Sequence, residues 1–135
     1  MDVTKPTKRE LNQVYYINRE IDNLQRLIDR QADADVKSPV PDGMPHSVTN
    51  VPGKPTEAAA LKLAELQEQL EMLQDRCRET KRDIMAYVMS MDDSFMRQIV
   101  ILRCVELMSW KDVASYIGGN NSAESCRVAF YREFK

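Results

Sequence analysis

The sequence predicts an all-α protein, in which a coiled-coil-like N-terminal antiparallel helical hairpin precedes a C-terminal helix-turn-helix. Three observations carry that expectation. Apolar residues recur alternately three and four apart over two long stretches, the spacing of one helix face laid against another. The 135 residues are 30% charged and 7% aromatic with four Gly, a balance that suits exposed helices better than a sandwich or an α/β sheet. Near the C-terminus, two short helical patterns flank a Gly-Gly pair at Gly118 and Gly119.

Residues 1–32 supply the first arm. Thr7-Lys8-Arg9-Glu10 has the T-x-x-E form of a capping box, in which two side chains satisfy free N–H groups of the first turn. Val14, Ile17, Ile21, Leu24 and Ile28 then form a stripe that fades at Gln31-Ala32-Asp33, so one helix is expected from about 7 to about 32. Residues 33–56 read as a linker. Pro39, Pro41, Gly43, Pro45, Pro52, Gly53 and Pro55 are crowded into them, and such residues do not sit in a continuous helix or a central strand.

A second helix is expected over 57–91, entered at Thr56. Its stripe is Ala59, Leu63, Leu66, Leu70, Leu73, Cys77, Thr80, Ile84, Tyr87 and Met91, a heptad register that pairs with another helix. The first arm has half as many apolar positions, so the rest of this stripe needs the C-terminal region or a second subunit.

Residues 92–135 form the third part. Asp92-Asp93-Ser94 ends or kinks the long helix and supplies the next N-cap, and Phe95, Ile99, Leu102 and Val105 make one face, widened by Met96, Val100 and Met108. Ser109 with Asp112 favours the start of a short helix carrying Val113, Ala114 and Ile117. Gly118 can take the positive φ that turns the chain. Asn121 with Glu124 is placed to cap a last helix with Ala123, Cys126, Phe130 and Phe134 inside.

Ala114 is small where a second helix crosses closely, which is the plan of a helix-turn-helix. The last helix then turns Asn121, Glu124, Ser125, Val128, Tyr131 and Arg132 outward, with Arg127 on one flank. Polar and basic residues there suit a major groove. The base-reading set is expected to be Asn121, Ser125, Arg127, Val128 and Arg132, with Arg103, Lys111 and Lys135 on phosphates. The formal net charge of the chain is −2, so binding must come from a local surface. Residues 95–135 hold six Lys or Arg (97, 103, 111, 127, 132, 135) against four Asp or Glu (106, 112, 124, 133). That mild excess points to a dimer or a protein partner. Short helices joined by a Gly turn also occur in domains that never touch DNA.

Catalysis and metal binding find no support in the sequence. Cys77, Cys104 and Cys126 are odd in number and widely spaced, and the single histidine, His46, lies in the Pro-rich run. No zinc spacing, P-loop, G-x-G-x-x-G or H-E-x-x-H is present. No enzyme activity, metal or cofactor is therefore expected. Asp92 and Asp93 are read as caps, Trp110 as packing between Phe95-type core residues and the long helix, and Arg76, Arg78, Lys81 and Arg82 as a solvated face. With no apolar run near twenty residues and no signal-peptide pattern, a cytoplasmic protein without membrane contact is expected.

The run Leu102-Arg103-Cys104-Val105-Glu106-Leu107-Met108-Ser109-Trp110-Lys111-Asp112-Val113-Ala114 resembles the L-R-Y-x-E-G-x-S-W-x-x-[IV]-A stretch of phage regulators of the ArpU/RinA-like class. Tyr15-Tyr16-Ile17-Asn18-Arg19-Glu20-Ile21 is similar to their opening helix. Ser38-Pro39, Gly43-Met44-Pro45 and Pro55-Thr56-Glu57-Ala58-Ala59 resemble their linker. The likeness covers nearly the whole chain. It departs at Leu107, where Gly is common, at Cys104, where an aromatic is usual, at His46, where an Arg often stands, and at a slightly longer turn through Asn120. The resemblance implies a C-terminal domain like region four of bacterial sigma factors, touching promoter DNA as an activator of late, packaging or lysis genes. Double-stranded DNA is the expected partner, with host RNA polymerase and a second copy of the chain, through the hairpin, as further partners. Two alternatives stay open: a phage interaction protein whose helices bind a host protein, and a DNA-packaging recognition subunit that assembles into a ring.

Overall fold

The computed structural model describes residues 4–36 and 53–135, with side chains described over 4–33 and 57–135. Most of the expected linker, His46 included, lies outside the described residues. Among the described residues all regular structure is helical and no strand occurs, so the protein is all-α. No described helix is long and apolar enough to cross a membrane.

The elements are α1 (Lys8–Leu11), α2 (Gln13–Val36), α3 (Gly53–Met89), α4 (Ser94–Val100) running on into a π-helical turn (Ile101–Val105), α5 (Trp110–Ile117) and α6 (Ala123–Glu133). Several boundaries differ from the sequence expectation, among them the end of the long helix at Met89 rather than Met91. The first arm is interrupted at Asn12 and continues to Val36. The long helix begins at Gly53, with Pro55 in its first turn. Proline is tolerated there because the first N–H groups of a helix have no intrahelical acceptor. Its presence therefore did not exclude residues 53–56 from the helix.

The chain divides into two compact units, one of residues up to Arg19 together with Asp75–Lys135, the other of Glu20–Gln74. In the second unit, Leu24 and Ile28 are buried. Ile21, Ala59, Leu63, Leu66, Leu70 and Leu73 are half-buried between exposed neighbours. The covered positions are those of the two stripes, so the apolar spacing marks the faces withdrawn from water.

The first unit holds the aromatic core. Leu11, Val14 and Ile17 are buried there with Cys77, Ile84 and Val88 of α3. Phe130 and Phe134 meet with centroids 5.1 Å apart, and Tyr87 of α3 lies 6.3 Å from Phe134. Tyr87 of the α3 stripe thus finds a partner in Phe134, just beyond the end of α6 and within this unit. Each fully buried side chain of this size contributes about 1.5–3 kcal/mol relative to exposure.

Asp93 caps α4, its carboxylate accepting from the Phe95 N–H at 3.0 Å. The face expected from Phe95, Ile99, Leu102 and Val105 is displaced: the buried set is Met96, Ile99, Val100, Leu102 and Cys104, while Phe95 and Val105 are half-buried. The π turn accounts for the exchange of Val105 for Cys104, because the Glu106 N–H bonds the Ile101 carbonyl five residues back at 2.9 Å and the wider turn rephases the residues within and beyond it. Leu107 then leaves the helix at φ +60°.

Candidate nucleic-acid interface

Helix α5 starts as its S-x-x-D signature requires: the Ser109 hydroxyl accepts from the Asp112 N–H at 3.2 Å. Gly118 (φ +77°, ψ −155°) and Gly119 (φ +67°) turn the chain. Gly118 occupies a region essentially reserved for glycine. Helix α6 packs on α5 through an interior that includes Val113, Ala114, Cys126 and Phe130, all buried.

The cap of α6 differs from the sequence expectation. It is Ser122, not Asn121: Ser122 and Ser125 exchange hydrogen bonds between hydroxyl and backbone N–H at 3.0 and 2.9 Å, a complete capping box. Asn121 sits in the turn, half-buried, its amide donating to the Gly118 carbonyl at 2.9 Å. Glu124 instead grips Arg127, accepting from it at 2.6 and 3.2 Å. The guanidinium holds the Glu124 carboxyl below its usual range, first through the hydrogen bond and then through charge.

The expected reading residues divide around α6. Opposite the buried Cys126 and Phe130, the half-buried Val128 stands at the centre of the outward face. Ser125 and Arg132, both exposed, lie to one side, and Arg127 and Tyr131, also exposed, lie to the other. Lys111 and Lys135 are exposed, and with Arg132 they make no ion pair among the described residues.

Arg103, expected on phosphate, is engaged within the fold. It donates to the Met108 carbonyl at 2.9 Å and lies 4.6 Å from the Trp110 centroid. Trp110 in turn lies 5.4 Å from Phe130 and 6.5 Å from Tyr131, so its aromatic partners are on α6 and its cation partner is Arg103.

Sequence reasoning missed the N-terminal contribution. Lys5 pairs with Glu133 at 2.8 Å and lies 5.4 Å from the Phe134 ring, and Lys8 stands 4.7 Å from the Tyr131 centroid. These contacts join residues more than 120 positions apart in sequence, and no local periodicity reports such a pairing.

The three thiols are free and buried. Burial pushes Cys104 up to about 12, against the weaker pull of Arg103, and raises Cys126 against a hydrogen bond to Ser125. No group of three or more His, Cys, Asp or Glu positioned for a metal occurs among the described residues. No family model matches the chain, and neither does any curated protein or solved structure.

Proposed function

We propose that this chain is a DNA-binding regulator of the phage or mobile-element type, reading duplex DNA with α6 as the second helix of a helix-turn-helix. One observation carries the reading. Helix α6 is locked onto α5 by buried Val113, Ala114, Cys126 and Phe130, while exposed Ser125 and Arg132 flank Val128 on its outward face. A rigid helix with such a face fits a major groove, with Arg132 reaching base edges directly and Ser125 doing so by releasing the bond its hydroxyl donates to the Ser122 carbonyl. Lys111 and Lys135 supply phosphate contacts, and the stripes of α2 and α3 pair as an antiparallel hairpin. Arg127 joins the reading set by exchanging Glu124 for DNA.

Selection from a random duplex library at two salt concentrations tests this. The expected result is one enriched motif, with affinity falling as salt rises. Reversing the charge of Arg127 and Arg132 together should abolish retention and leave the circular dichroism unchanged. No enrichment and no retention at low salt would overturn the reading.

Exposed Leu27, Leu61 and Met72 in the second unit favour a second reading, contact with a protein partner through α2 and α3. In that case the double charge reversal leaves activity intact.

A further inference from the structure

A groove in the first unit is lined by Asn12, Tyr15, Tyr16, Arg103, Ser109 and Tyr131, over the apolar Leu11, Cys104 and Leu107. Its composition is unusual for a chain of net charge −2: the lining holds no carboxylate, and each of its six polar residues has an N–H or O–H to donate. Tyr15 and Tyr16 are exposed by 48% and 60%, more than packing residues would be. Lys8 stands beside it, 4.7 Å from the Tyr131 centroid, and Arg127 lies 5.8 Å from the same ring. Neither Lys8 nor Arg103 is paired with a carboxylate among the described residues.

We propose that this groove holds a backbone phosphate of the DNA strand beside the recognition helix, making the N-terminal segment part of the DNA interface. The inference rests on the reading of α6 given above and adds a second element to it. Tyr131 lines the groove and also flanks Val128 on α6, so a duplex centred on Val128 brings one of its phosphate rows to this side. A phosphodiester there meets the Lys8 ammonium, the Asn12 amide and the tyrosine hydroxyls, with Ser109 at the start of α5. Donors of this kind fix register on the duplex and carry no sequence information.

The test measures affinity for the selected duplex against salt for the full chain and for Lys8→Gln and Asn12→Asp, with circular dichroism as the control for folding. Lys8→Gln should weaken binding to every sequence alike and lower the slope of log affinity against log salt by about 0.9, one phosphate contact. Asn12→Asp, which places a carboxylate among the donors, should weaken binding without changing the enriched motif. Wild-type affinity and slope in both variants, with binding lost on charge reversal of Arg127 and Arg132, would overturn the groove and leave the α6 reading standing. A wild-type chain that binds no duplex overturns both. A mononucleotide that alters Trp110 fluorescence as strongly as duplex does, in a Lys8-dependent way, would assign the groove to free nucleotide and overturn the proposal.

Discussion

Arg103 lies with its guanidinium 4.6 Å from the Trp110 ring centroid while donating to the Met108 carbonyl at 2.9 Å. One side chain thereby ties the end of the π turn to the start of α5. The planar guanidinium can stack and donate at once, which an ammonium cannot reproduce.

Arg103→Ala is expected to cost about 2 kcal/mol, the sum of a partly desolvated cation–π contact and a charged hydrogen bond. Arg103→Lys should recover less than half of that. Urea unfolding followed by the emission of Trp110, the single tryptophan, reads both. Equal stability of wild type and Arg103→Ala would show the clamp to be idle.

Gly118→Ala should destabilise by about 1–3 kcal/mol, although a Cβ there meets nothing within 4 Å. The cost is backbone strain at φ +77°, not a clash. Thermal unfolding of the variant decides it, and an unchanged midpoint would mean that the turn relaxes freely.

Leu107→Gly is expected to act in the opposite direction. A left-handed conformation at a residue bearing a Cβ costs about 1–2 kcal/mol, and Leu107 holds φ +60°. Part of the gain is offset by lost packing of a half-buried side chain and by glycine's greater freedom when unfolded. After both losses a net stabilisation below about 0.5 kcal/mol should appear as a slightly raised urea midpoint.

Cys104 links stability to alkaline pH. Its thiol is pushed up to about 12 in the fold, against an ordinary value of 9.0. Between those two values the unfolded chain has lost a proton that the folded chain retains. Stability therefore falls as pH rises above about 9 and levels off near 12. Cys104→Ser should flatten that part of the profile. At pH 8 the folded protein should leave Cys104 and Cys126 unreacted with a thiol reagent, and urea should expose all three thiols.

Legibility in the sequence tracked the range of each interaction. The ten-residue stripe from Ala59 to Met91 coincides with covered positions throughout, because burial on one helix face repeats with the helix itself. Ser109 was legible as a cap because its partner, Asp112, is three residues away. Ser122 was not, since Asn121 is an equally good capping residue and only the turn's hydrogen bond to Gly118 removes it from that role. The π turn at Ile101–Val105 escaped because an apolar run broad enough to be buried on several sides carries no phase to betray one extra residue. In the candidate site, the outward face of α6 could be drawn on a helical wheel. The engagement of Arg103 with Trp110 and of Lys8 with Tyr131 could not, since both depend on how separate helices meet.

The first unit is built from two pieces of chain, residues up to Arg19 and those from Asp75 onward, fastened by the Lys5–Glu133 pair. During synthesis the opening helix must wait for its cover. At roughly 5–20 residues per second, several seconds pass between the emergence of Leu11 and that of Phe134. The second unit is free to form in that interval, so it should be the earlier-folding part. A ribosome stalled before α6 would then carry ordered Glu20–Gln74 helices and an N-terminal segment still open to protease, with no assembled surface to offer DNA.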